Sequence, residues 1–128
     1  MLLLDTCTLV WLAFDQRRLS TVASGFISTH RDALAVSSIS AYEVGQKVRK
    51  QKLVLPKPVG VWFPEVLDAY HLKELPVTSR IALLASSLTW DHDDPFDRLI
   101  VASAIVDEVT IITPDRYIRE HPAVTCRW

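Results

Sequence analysis

Glycine is scarce in this 128-residue chain, with Gly25, Gly45 and Gly60 the whole supply. Neither a P-loop nor a GxGxxG dinucleotide fingerprint can be built from them, because both consume glycines at fixed offsets. Cysteine is almost absent too. Cys7 and Cys126 cannot make a disulfide framework or a four-cysteine zinc site, and they read as reduced thiols of a cytoplasmic protein. No long apolar run exists; Leu99 to Val106 is the longest apolar or small stretch, well short of the ~20 residues that span a bilayer. The opening Met1-Leu2-Leu3-Leu4-Asp5 has no positive leader and does not read as a signal peptide. Charge is balanced, with 14 Lys+Arg against 15 Asp+Glu and a net charge of −1, so any nucleic-acid-binding surface must be local.

What remains is a globular composition, 49% hydrophobic and 23% charged, with enough chain for one domain over residues 1–128 and little room for a second. Leu2-Leu4, Leu34-Val36 and Thr110-Thr113 are short apolar runs of the kind found in buried parallel strands. A third strand is expected within Leu72–Val77 and a last one over Val124–Arg127. Helices are expected over Thr8–Phe14, from an N-cap at Ser20 through Ile27, over Val61–Tyr70 with Pro64 tolerable only near its first turn, and from Thr78 or Ser79 to about Leu88. Ser40-Ala41-Tyr42-Glu43 matches a capping box opening a helix to about Lys52. Asp94-Pro95-Phe96-Asp97 reads as an N-cap with proline at the first helical position, opening a helix to about Val109, and a short helix follows near Arg116–Glu120. Strands alternating with helices predict an α/β fold with a mostly parallel sheet.

In such a sheet the functional crevice lies at the carboxyl ends of strands. Asp5 and Asp115 fall there, and Glu43 and Asp97 sit in first turns of helices that begin near the same edge. Each also admits a structural role. Asp5, Asp94 and Asp115 can cap helices, Glu43 can complete a capping box, and Asp97 can favour a helix dipole. Their convergence on one edge is what points to chemistry. Clustered carboxylates raise one another's pKa unless a cation neutralises them. Hard oxygen donors suit Mg²⁺ or Mn²⁺, whereas zinc would call for a His/Cys cluster.

The stretches LLLDTCTLVWL, ISAYEVGQKVRKQKLVLP, DHDDPFDRLIVASA and IITPDRYI together resemble the PIN domain, and more narrowly the VapC-type toxin ribonucleases. The resemblance covers Leu2 to about Tyr117, and DPFDR before a small, apolar helix is its most specific part. It implies a three-layer fold with a five-stranded parallel sheet flanked by helices. It further implies an endoribonuclease dependent on Mg²⁺, for which Mn²⁺ substitutes, with catalytic and metal-holding residues Asp5, Glu43, Asp97 and Asp115, Asp94 as an auxiliary acid, and Thr6 and Thr113 in support. The partners implied are RNA, a VapB-type antitoxin and a second copy of the chain, with higher assembly on the antitoxin.

Around this centre, Lys47, Arg49, Lys50 and Lys52 form either a solvated helix end or a phosphate track, with Lys47, Arg49 and Lys50 its nearest members. Arg98 and Arg116 are further candidates for RNA contact, and Arg98 admits pairing with a neighbouring acid instead. Trp11 and Trp62 are candidates for lining the antitoxin groove. His92 reads as a solvated loop residue and Cys7 as a packing residue without a local base. Competing readings are a PIN-type nuclease outside a toxin–antitoxin pair, a haloacid-dehalogenase-like phosphatase with Asp5 as nucleophile, and a non-catalytic interaction domain. The phosphatase motif wants a second Asp where Cys7 stands.

Overall fold

The computed structural model describes residues 1–128. Five strands, β1 (Leu2–Leu4), β2 (Leu34–Ser37), β3 (Lys73–Leu75), β4 (Thr110–Ile112) and β5 (Cys126–Arg127), pair in the order β3-β2-β1-β4-β5. Every pairing is parallel. Seven helices flank them: α1 (Thr6–Phe14), α2 (Thr21–Thr29), α3 (Ile39–Arg49), α4 (Val59–Ala69), α5 (Ser79–Ser87), α6 (Pro95–Asp107) and α7 (Arg116–Arg119). The chain leaves β1 toward β2 and β3, then returns to add β4 on the other side of β1. That reversal opens a crevice between the carboxyl ends of β1 and β4, where open parallel sheets bind ligands.

The three layers follow from side-chain alternation along the strands. Leu2, Leu4, Leu34, Val36 and Ile112 enter one core with Leu9 and Leu12 of α1, Ala23 of α2, and Trp62 and Phe63 of α4. Leu3, Ala35 and Ile111 point the other way and meet Ile100, Val101 and Ala104 of α6 and Ile118 of α7. α5 covers α6 through Ile81 and Ala85 against Ala102. Both faces of the central strands are therefore dry, which is why they read as continuous apolar runs.

Several boundaries differ from expectation. α1 starts at Thr6 because Asp5 is its N-cap, accepting from the Thr8 amide at 2.8 Å. The Ser40–Glu43 capping box does not form. α3 begins two residues earlier, at Ile39, whose amide donates to Ser37 Oγ (3.2 Å), while Ser38 Oγ accepts from the distant Val77 amide (3.0 Å). Ser40 is thereby left buried inside the helix, accepting from the Thr6 hydroxyl at 2.9 Å. α3 ends at Arg49 and α6 at Asp107, the latter closed by Glu108 in the left-handed conformation (φ 54°). α4 opens at Val59, so Pro64 lies more than a turn inside it. The carbonyl that Pro64 frees belongs to exposed Gly60, where water can satisfy it.

Trp62 and Arg98, expected to contact partners, are engaged within the fold itself. Trp62 is 5% exposed and stacks on Phe14 at 5.5 Å with the rings nearly parallel, so it fills core and does not line an open groove. Trp11 is half-buried, with the Arg18 guanidinium 4.5 Å above its ring and Trp128 at 5.7 Å. Arg98 pairs with no acid. Its guanidinium donates to the carbonyls of Ala85 (2.9 Å), Leu88 (2.7 Å), Trp90 (3.0 Å) and His92 (3.1 Å), holding the end of α5 and the following loop against α6. A guanidinium presents donors in a planar fork that an ammonium cannot copy. Arg98→Lys is expected to cost about 2–4 kcal/mol of stability in urea denaturation. A loss below about 0.5 kcal/mol, the size of an ordinary surface substitution, would show that these four bonds contribute nothing net.

Candidate active site

At the β1/β4 crevice a pocket of about 280 Å³ is lined by Asp5, Thr6, Cys7, Glu43, Lys47, Asp94, Asp97, Ile100, Pro114 and Asp115. Local chain chemistry puts each acid there. Asp5 ends β1, Asp94 and Asp115 are the N-caps of α6 and α7, and Asp97 lies in the first turn of α6. A cap uses one carboxylate oxygen and leaves the other available. Asp94 Oδ1 accepts from the Asp97 amide at 3.0 Å. Asp115 Oδ1 accepts from the amides of Tyr117 (2.8 Å) and Ile118 (3.2 Å). The structural and chemical readings of Asp94 and Asp115 are therefore compatible, since each caps a helix through Oδ1 and still lines the pocket. Glu43 comes from α3, which Thr6 fixes to α1 through Ser40. Its carboxylate lies 3.8 Å from the Lys47 ammonium, one helical turn away.

Asp5 is the buried member, 6% exposed. Its Oδ2 accepts a short hydrogen bond from the Thr113 hydroxyl, which in turn accepts from the Asp115 amide at 3.0 Å. Thr113 thus ties the acid after β1 to the acid after β4. Burial pushes the Asp5 carboxyl above the usual carboxylate range; the Thr113 and Thr8 hydrogen bonds oppose this, and the charge on Glu43 adds to it. Asp97 rises from the ordinary 3.8 to about 6, first through burial and further through the charges on Asp94 and Asp115, with a bond from His92 pulling it back.

His92 was not legible as a site residue in the sequence. Its Nε2 is 2.6 Å from Asp97 Oδ2 and its side chain is only 20% exposed, so it is a fixed neighbour of the acid and not a solvated loop group. The signal is three-dimensional: the loop before α6 folds back on its first turn, and nothing in the polar run Asp91–Asp94 marks it. Cys7 lines the pocket with its thiol pushed up to about 11 by burial and by Asp5, which leaves it protonated and a poor nucleophile. Lys47 is the one basic candidate that reaches the pocket. Arg49 lines a separate small cleft with Tyr42, Lys50 is exposed at the end of α3, and Arg116 pairs with Glu120 at 2.8 Å.

Five carboxylates and one ammonium line the pocket, and like charge adds to burial in raising Asp5 and Asp97. All-oxygen donors of this kind fit a hard divalent cation. As placed, no three of these side chains converge tightly enough to hold one ion together; a bound cation would have to draw the carboxylates inward.

The description of a PIN domain matches residues 2–124 of the chain. Ribonuclease VapC22 of Mycobacterium tuberculosis is 35% identical over 120 residues, covering 93% of this chain and 90% of that protein. Among solved structures, a toxin–antitoxin complex from Klebsiella pneumoniae superimposes with a TM-score of 0.68 at 19% identity, and VapBC2 from Rickettsia felis, bound to a promoter DNA fragment, with 0.69 at 18%. Each covers 98% of this chain and 96% of the other.

A carboxyl whose pKa is raised on folding makes the folded state bind more protons than the unfolded one between the two values, so stability falls as pH rises through that window. Without added divalent metal, the folded state is expected to lose stability between about pH 4 and about pH 6 through Asp97, with Asp5 acting in the same direction. Urea denaturation across this range should show the decline, and Asp97→Asn should flatten part of it. An Asp97→Asn protein with the wild-type slope would remove Asp97 as the cause.

Proposed function

The chain belongs to the PIN domain family, and within it to the VapC type; from that premise we propose that it is a divalent-metal-dependent endoribonuclease, the toxin of a pair completed by a VapB-type antitoxin. The observation that carries the reading is the gathering of Asp5, Glu43, Asp94, Asp97 and Asp115 around one pocket at the crevice between β1 and β4. The name of the 35%-identical relative, a ribonuclease, supports RNA as the substrate class. The likeness of the fold to chains solved in toxin–antitoxin complexes fits an antitoxin as partner. A second copy of the chain is a further proposed partner, and the cytoplasm the proposed place of work. No helix is long and apolar enough to cross a membrane.

In this proposal Asp5, Asp97 and Asp115 hold Mg²⁺ or Mn²⁺, and Asp94 assists. When bound, the metal would supply an activated water and offset the charge that develops on the phosphodiester. Glu43 orients the attacking water from α3, and Lys47, beside it, is placed to meet a phosphate oxygen. Water attacks phosphorus in line with the departing oxygen; as one P–O bond forms and another breaks, the water gives up a proton and the leaving oxygen takes one up, so that one water is consumed with no net change in protons. Thr113 keeps Asp5 aimed into the pocket, and His92 does the same for Asp97. The phosphatase alternative fares worse on this geometry. Both oxygens of Asp5 already accept hydrogen bonds, from Thr8 and Thr113, which is how a ligand is fixed and not how a nucleophile is freed.

Purified protein with Mg²⁺ or Mn²⁺ is expected to cut members of a defined RNA panel, and excess EDTA to stop it. Asp5→Asn and Asp97→Asn, checked for folding, should each lower the rate about 100-fold or more, the scale of losing a group that supports transition-state charge. Cleavage that persists unchanged in both variants would overturn the assignment.

A further inference from the structure

The wall that closes the acidic pocket has a second face. Beyond it lies a cleft of about 570 Å³ lined by the rings of Trp90, His92, Tyr117 and His121 and by three acids, Asp91, Asp93 and Glu120, the last paired with Arg116. That volume is within the ~300–1,000 Å³ of small-ligand sites. The aromatic rings are ordered against one another. His92 lies parallel to Tyr117 at 4.5 Å, Trp90 is 5.0 Å from His92, and His121 meets Trp90 edge-on at 4.9 Å. The two cavities share their partition. His92 bonds Asp97 on the pocket side, and the backbone amide of Tyr117 bonds Asp115. Yet Tyr117 is 60% exposed, an uncommon position for a ring so firmly stacked.

Resting on the ribonuclease reading, we infer that this cleft is a nucleobase subsite, which receives an unpaired base next to the phosphate held at the acidic pocket and stacks it against Tyr117. The chemistry selects the base over the backbone. Flat rings offer a π-face to any base, whereas Asp91 and Asp93, neither of which is in an ion pair, would repel a phosphate. The same carboxylates accept N–H groups, as acids do from the amino group of cytosine. They therefore favour a base with an exocyclic amine. Uracil, whose one N–H lies between two carbonyls, is disfavoured.

Wild type, Tyr117→Ala and Tyr117→Phe would be given single-stranded oligoribonucleotides of randomised sequence with Mg²⁺, the cut ends sequenced, and KM and kcat measured on a preferred sequence. Tyr117 is exposed and its hydroxyl has no partner in the chain, so both variants should fold, which thermal denaturation would verify. The subsite requires three results. Wild type prefers an amino-bearing base at one position beside the cut. Tyr117→Ala flattens that preference and raises KM about tenfold, the scale of one lost stacking contact, with kcat nearly unchanged. Tyr117→Phe behaves as wild type. An unaltered cut pattern and KM in Tyr117→Ala, a preference for uracil, or equal loss in Tyr117→Phe overturns the subsite while leaving the ribonuclease reading standing. A wild type that cuts no RNA takes both down together.

Discussion

Most of the site depends on one buried carboxylate. Asp5 sits where water cannot reach it freely, and a charge in such a place survives only with partners. It has two: the backbone amide of Thr8 at the start of α1 and the side-chain hydroxyl of Thr113 just beyond β4. These bonds make the end of β1 a fixed point. Asp115 hangs from the same threonine, and Glu43 is set by the hydroxyl pair of Thr6 and Ser40 on the neighbouring helices. Hydroxyls are suited to this work because they donate and accept at once. A chain of Thr and Ser side chains can therefore link acids that would otherwise push one another apart.

The arrangement sets stability against chemistry. Burial first, and neighbouring carboxylates after it, raise the Asp5 and Asp97 carboxyls, so keeping both ionised in the pocket costs stability. A cation relieves that tension, which is the same property that would let the pocket bind one firmly. Net charge over the whole chain is only −1, so the imbalance is local, produced by topology and not by composition.

Much of this was legible in the sequence for physical reasons that can be named. Leu2-Leu4, Leu34-Val36 and Thr110-Ile112 read as strands because a parallel sheet covered on both faces demands unbroken apolar runs. Asp94-Pro95-Phe96-Asp97 read as a helix start because cap and proline chemistry is local. Local reasoning failed where a distant group competed. Ser40 and Glu43 have capping-box spacing, but the helix starts earlier with Ser37 Oγ on the Ile39 amide, and the Thr6 hydroxyl bonds Ser40. Arg98 looked free because the carbonyls it serves lie on a loop whose path the sequence does not reveal. His92 carries no local signal, because its meaning comes from two rings and an acid that meet it only in the fold.

The Asp5–Thr113 bond joins residues 108 positions apart. Contacts of such long range form late, after the intervening chain has been collapsed and ordered. During synthesis the segment carrying Asp5 emerges well before Thr113 and waits for the intervening chain before it acquires that partner. β1 itself has no neighbour on its β4 side until then. An interrupted or prematurely released chain ending before Thr113 would therefore carry Asp5, Glu43 and Asp97 without the frame that makes them one site. Assembly order alone would keep a nascent chain inert, and the competence to act would arrive close to the moment at which the whole domain can fold.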